Sequence, residues 1–113
     1  MRRLATVILL AGLLFPASAA AAPRYDVPPG FSRCPDAVAW HGFFKWASER
    51  DAGCRDAARF MRRYAERAGA TMPRSVAGYR CRIHFWRNEE GDIYASRHVC
   101  SRGETTIRFY GMV

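Results

Sequence analysis

The chain predicts an α+β fold: one helix packed on an antiparallel sheet of three or four strands, stapled by two disulfides. Three observations carry this. Residues 78–110 alternate apolar and polar side chains in three stretches separated by Gly-containing polar clusters, the period-2 signature of half-buried strands. Residues 54–68 instead repeat apolar side chains at steps of three and four, which places them on one stripe of a helix. Four cysteines in 113 residues form an even set, the pattern of small exported domains that reinforce a limited core covalently.

Taken in order, the chain opens on Met1-Arg2-Arg3, continues with an apolar run over residues 4–15, and reaches Pro16 followed by a small-residue stretch. A charged start, an apolar run too short to span a bilayer and an Ala-rich end are the parts of a secretory signal peptide. We assign residues 1–22 to it, with cleavage between Ala19 and Ala22. No later stretch is apolar and long enough to cross a membrane, so the mature chain is expected to be exported, periplasmic or extracellular, without a transmembrane segment.

Residues 23–33 carry Pro23, Pro28, Pro29 and Gly30 and read as an extended, irregular lead-in tied down at Cys34. Residues 34–113 then form a single small domain, near the size at which a core alone barely stabilises a fold. The stretch 37–48 fits two elements. Ala37, Trp40, Phe44 and Ala47 could be one helical stripe, but Gly42 in its middle costs about 1 kcal/mol; Phe43, Phe44 and Trp46 are good sheet formers, and the preferred reading is a strand over residues 43–47.

For the helix, Asp51 is the expected N-cap, Asp56 lies in the first turn and Gly69 follows the last periodic residue. Its stripe, Cys54, Ala57, Ala58, Met61, Tyr64, Ala65 and Ala68, is expected to cover the sheet, leaving Arg55, Arg59, Arg62, Arg63 and Arg67 outside with Glu66.

The register of the three C-terminal strands follows from their turns. A two-residue loop at Glu90-Gly91, or a four-residue loop over residues 89–92, sets Asn88 opposite Ile93 and Cys81 opposite Cys100. A two-residue turn at Arg102-Gly103 sets Ser101 opposite Glu104 and His98 opposite Ile107. Opposite residues share a face, so Cys81, Ile83, Phe85, Cys100, Ile107 and Phe109 form a core side. Arg80, Arg82, His84, Trp86, Arg97, Val99, Arg108 and Tyr110 form a cationic and aromatic second side. This register favours a Cys81–Cys100 disulfide, leaving Cys34–Cys54; the competing pairing joins Cys54 to Cys81 or Cys100. A zinc site is disfavoured because no C-x-x-C pair occurs and export opposes reduced thiols, so no metal and no cofactor are expected.

A helix opening on Gly53-Cys54-Arg55-Asp56-Ala57, then Gly78-Tyr79-Arg80-Cys81, then Val99-Cys100 with Gly103, Ile107 and Phe109 resembles the pattern of small exported bacterial, often actinobacterial, disulfide-containing domains of unknown function. The resemblance implies a βαβββ arrangement and supports the strand before Cys54. Its motifs are structural and carry no activity.

The formal net charge of +8 includes Arg2 and Arg3, so the mature chain keeps +6, nearly all as arginine. A basic exported domain is drawn to polyanions. The leading functional reading is therefore noncatalytic binding of an anionic polymer or lipid surface by Arg80, Arg82, His84, Trp86, Arg97, Arg108 and Tyr110, in which guanidinium groups meet phosphate or carboxylate and rings stack. A second is a protein-partner role, an envelope factor or an inhibitor of an exported enzyme, with an acidic partner. The weakest is a small secreted nuclease. The chain shows no G-x-S-x-G elbow, phosphate loop or paired carboxylates, and the derived register puts His84 and His98 on opposite faces, so no catalytic residue is assigned.

Overall fold

Turn chemistry and aromatic anchors decide where each element of this chain starts and stops. The computed structural model describes residues 21–113, and the expected signal peptide falls almost wholly outside them. The elements are β1 (Ser32–Cys34), β2 (Phe44–Arg50), α1 (Cys54–Arg67), β3 (Ser75–Val76), β4 (Tyr79–Arg87), β5 (Ile93–Arg102) and β6 (Thr105–Met112). All strand pairs are antiparallel, in one sheet of order β1-β2-β6-β5-β4-β3. The α+β class is as expected, but the sheet has six strands and not three or four. The two additional strands, of three and two residues, are too short to show alternation. β1 is held by pairing with Ala47, Ser48 and Glu49, and β3 by a tight hairpin through Ala77 and Gly78, both at positive φ.

Residues 37–48 resolve in favour of the strand, which runs further than expected, to Arg50. A bulge interrupts it. Lys45 pairs with Tyr110 and Ser48 with Arg108, so Trp46 and Ala47 together face Phe109. Trp46 takes φ 57 there, a left-handed conformation that a bulky residue adopts only where its surroundings hold it. The extra residue lets Ala47 enter the core while Trp46 packs on the other side of the sheet.

Both hairpin turns of the meander differ from the expected ones. Asn88 and Asp92 close a three-residue loop with Gly91 at φ 89, and Asn88 Oδ1 accepts hydrogen bonds from the N–H groups of Glu90 (3.0 Å) and Asp92 (2.9 Å). An odd loop alone would turn every later side chain to the wrong face. A bulge cancels it: Trp86 pairs with Ala95 but Arg87 with Ile93, leaving Tyr94 as the extra residue. Cys81 therefore does lie opposite Cys100, although Asn88 does not face Ile93. At the second turn Arg102 pairs with Thr105, so the two-residue loop is Gly103-Glu104, with glycine (φ 60) in the leading position that a non-glycine residue would find strained. His98 consequently faces Phe109 and not Ile107, and Ser101 faces Thr106. This shift is two residues, an even number, so the assignment of faces survives.

α1 also begins and ends on different groups. Asp51 is not its N-cap; Gly53 is, at φ 83, with no side-chain cap. Glu49, at the end of β2, accepts instead from the N–H groups of Ala52 (2.9 Å) and Gly53 (2.7 Å). The helix ends at Ala68 in extended geometry, one residue before Gly69. Ala57, Phe60, Met61 and Tyr64 face the sheet; Phe60, absent from the expected stripe, lies 4.6 Å from the ring of Tyr79. Both disulfides have the preferred pairing, Cys34–Cys54 and Cys81–Cys100, with Cα separations of 5.4 and 4.0 Å.

The main core gathers Phe44, Ala47, Phe60, Met61, Tyr64, Tyr79, Ile107 and Phe109 beneath α1. Ile83 and Phe85, expected in it, are only half-buried. Six strands at about 4.8 Å spacing are wider than one helix of about 10 Å can cover, and α1 lies toward the β2 side of the sheet.

Candidate functional site

The second face of the sheet is built in cross-strand rows. Arg33, Ser48, Arg108, Val99 and Arg82 form one; Lys45, Tyr110, Arg97 and His84 the next; Met112, Ala95 and Trp86 a third. Long cationic side chains are adjacent here because they recur every second residue along strands in register. Rings run through them in sequence: Trp46 lies 5.5 Å from Tyr110, Tyr110 stacks on Trp86 at 6.1 Å, and His84 meets Trp86 edge-on at 4.6 Å. Arg97 rests over the Trp86 ring at 5.6 Å and Arg108 over Tyr110 at 5.8 Å, positions in which the ring quadrupole attracts a guanidinium.

The lead-in is not free up to Cys34. It crosses this face and is held along its length. Tyr25 stacks on Trp46 with rings 7° from parallel, donates its hydroxyl hydrogen to the Ala47 carbonyl, and receives the Cys34 N–H at 3.2 Å. Asp26 stands 3.7 Å from Arg108, and just ahead of the lead-in, within the residues assigned to the signal peptide, the Ala21 carbonyl accepts from Trp86 Nε1–H at 2.7 Å. Before β1, proline and an irregular path leave residues 23–31 no strand ladder, so side chains anchor them.

These contacts divide the seven expected binding residues. Trp86 and Tyr110 are buried, with their faces occupied by neighbouring rings and guanidinium groups. Arg108 is enclosed as well: it donates to Tyr110 Oη at 3.1 Å, and its Nε is buried without a partner, as is the Oγ of Ser48 directly opposite. Arg80, Arg82 and His84 are exposed and Arg97 is partly so. Arg82, His84 and Arg97, with Ile83 and Val99, surround a shallow recess of about 210 Å³. Among the described residues no carboxylate pairs with Arg80, Arg82 or Arg97.

His98 lies on the opposite face, fully buried. Its Nδ1 is 2.7 Å from Tyr64 Oη and its Nε2 2.7 Å from Ser96 Oγ, so it has two partners, and its ring stacks on Phe109 at 4.8 Å. Burial pushes its pKa down to about 3, and burial likewise raises that of the Tyr64 hydroxyl. The imidazole is thus neutral, one nitrogen donating and one accepting, which either hydroxyl can match. A Ser-His contact of this length is what nucleophilic catalysis uses, but Ser96 and His98 are both buried, at 2% and 0% exposure. Nothing in the strand pattern announced Ser96, whose place in this chain depends on cross-strand packing.

Among the described residues, Cys34, Glu49 and Cys54 are the grouped potential metal donors, with ligand atoms within 4.8 Å. Both sulfurs are in the disulfide and the Glu49 carboxylate already accepts two N–H groups, so this group is the clamp that starts α1.

No family model, no curated protein and no solved structure matches the chain. Its functional reading therefore rests on the residues themselves.

Proposed function

We propose that the protein is an exported, noncatalytic domain that binds a phosphate-bearing polymer or surface through Arg80, Arg82, His84 and Arg97. The observation that carries this reading is that exposed Arg82 and partly exposed Arg97 border one recess with His84, with exposed Arg80 two residues before Arg82 on β4, and that none of the three arginines is paired by a carboxylate among the described residues. A guanidinium fork matches two phosphate oxygens at once and keeps its charge at any physiological pH. Trp86 supports the site from beneath by holding the Arg97 guanidinium against its ring. It orients a cation; it does not stack on ligand. The disulfides and the leader pattern of residues 1–22 support export.

The test is a salt titration of the oxidised protein against a single-stranded oligonucleotide, anionic vesicles and lipopolysaccharide, beside an unrelated protein of equal charge. We expect one polyanion to be preferred at physiological salt. Replacing two contacts, Arg82→Ala with Arg97→Ala, should lower the slope of log affinity against log salt for the oligonucleotide by about 1.4, since each single-strand phosphate contact contributes about 0.7. An unchanged slope, or binding no tighter than the control protein's, removes this face from consideration.

A further inference from the structure

On the other side of the sheet β3 ends early, and what lies beyond it is a gap shaped for a strand. β3 pairs with β4 only at Ser75 opposite Arg80 and Val76 opposite Tyr79. One more bond follows, from Cys81 N–H to the Arg74 carbonyl at 2.9 Å. The next residue along is Pro73, which has no N–H to offer, and no backbone bond joins residues 70–73 to β4. The chain leaves the sheet edge there.

The direction of the Cys81 amide fixes that of its neighbours. In an antiparallel strand alternate residues turn both backbone groups to the same side, so Ile83 and Phe85 present N–H and C=O outward, as Cys81 does. The 4.0 Å Cα separation of Cys81 and Cys100 agrees, since the close pairs of an antiparallel ladder are those that exchange no backbone bonds with each other. Beyond Cys81 no described strand lies against this edge.

Beside this edge lies a cleft of about 480 Å³ lined by Ala70, Thr71, Met72 and Arg74 of the segment before β3 and by Ile83, Phe85 and Ile93 of β4 and β5. This size and mainly apolar lining suit a ligand. Ile93 remains 46% exposed. Arg74 makes no ion pair among the described residues, and Arg87 projects from β4 nearby.

We propose that an extended peptide segment of a protein partner binds here by continuing the line of β3: about four to five residues pair with the outward groups of Ile83 and Phe85, apolar side chains enter the cleft, and flanking acidic residues meet Arg74 and Arg87. Strand addition takes its affinity from main-chain hydrogen bonds and its specificity from pockets for alternate side chains, and this site offers both. Its charge selects an acidic segment. The site is separate from the arginine recess and does not depend on it.

The test uses the oxidised protein, exported and purified from its full-length gene, as bait for a displayed library of random octapeptides. The best enriched clone is then synthesised plain and with alternate backbone nitrogens methylated. We expect enriched sequences to alternate apolar residues and to carry Asp or Glu. The plain peptide should slow hydrogen exchange at the Ile83 and Phe85 amides, and the methylated one should bind at least tenfold more weakly. Arg74→Glu, a surface change that leaves the core intact, should weaken binding about tenfold, whereas Arg97→Ala should not. The proposal is overturned if no sequence enriches above background, if the bound peptide leaves those two amides exchanging as before, or if methylation has no effect, as for an apolar ligand that uses the cleft alone. Self-association of the protein through this edge at micromolar concentration would also overturn it.

Discussion

The two faces of one sheet are closed by different means. On the first, a regular helix lays Phe60, Met61 and Tyr64 over Phe44, Ile107 and Phe109, and a disulfide anchors the helix start to β1. On the second, a segment with no regular structure is pinned at separated points, Tyr25 on Trp46 and Ala47, Asp26 beside Arg108. The helix satisfies its own backbone and can therefore exclude water from everything beneath it. A strap with little internal hydrogen bonding, Phe31 N–H to the Pro28 carbonyl among the described residues, must leave much of its backbone to solvent; it encloses Arg108 but leaves Arg82 and His84 exposed and Arg97 partly so. The dry face is the scaffold, and the wet face and the open β4 edge are where ligands can be recognised.

If that contrast is right, deletion in the first face should be the most damaging change. Phe109 is fully buried between His98, Tyr64 and Phe44, and Phe109→Ala should cost about 3–5 kcal/mol in denaturant unfolding. A cost under about 1 kcal/mol would mean that the helix does not seal this face.

Acid should act next, again through the dry side. An unfolded imidazole takes up a proton below its ordinary value of 6.5, whereas the buried His98 does so only near 3. Between these values the unfolded state holds the extra proton, so the stability contributed by neutral burial is whole above pH 6.5 and is lost as pH falls, by at most about 1.4 kcal/mol per unit. Urea unfolding at several pH values should show His98→Gln with a shallower acid slope than the parent, by about one proton. Equal slopes would show that water reaches His98.

The smallest effect belongs to the strap. Tyr25→Phe removes the hydroxyl that joins Ala47 and Cys34 and keeps the ring on Trp46. We expect a loss of about 1 kcal/mol, seen as faster hydrogen exchange and proteolysis in residues 23–31 with little change in the global midpoint. A fall of several kcal/mol would mean that both faces are one cooperative core and would end the distinction.

The candidate recess was legible because its residues alternate along two strands, and alternation survives errors in pairing. The assumed loop at Glu90-Gly91 was one residue out and a bulge at Trp86 and Arg87 corrected it; the assumed turn at Arg102-Gly103 was out by an even number. Face assignments depend only on parity. What stayed hidden were contacts between distant segments. Trp86 and Tyr110 read as open stacking surfaces until the lead-in and neighbouring strands were placed against them. The capping role of Glu49 was masked by Asp51, a better cap by type, whose φ of 64 shows it already committed to the turn before the helix.

By itself, then, the amino-acid order determined what local periodicity and pairing impose: one helix, alternating strands, and an inner and an outer side of the meander; it favoured the disulfide pairing that the structure has. These follow from stereochemistry within a few residues of each position and from one strand register. Only the tertiary structure decided that two three-residue-or-shorter strands extend the sheet, that the lead-in crosses the second face, and that a single helix leaves Ile83 and Phe85 beside an open edge. Each of those outcomes depends on how segments far apart in the chain compete to cover the same surface, and no local pattern records which of them succeeds.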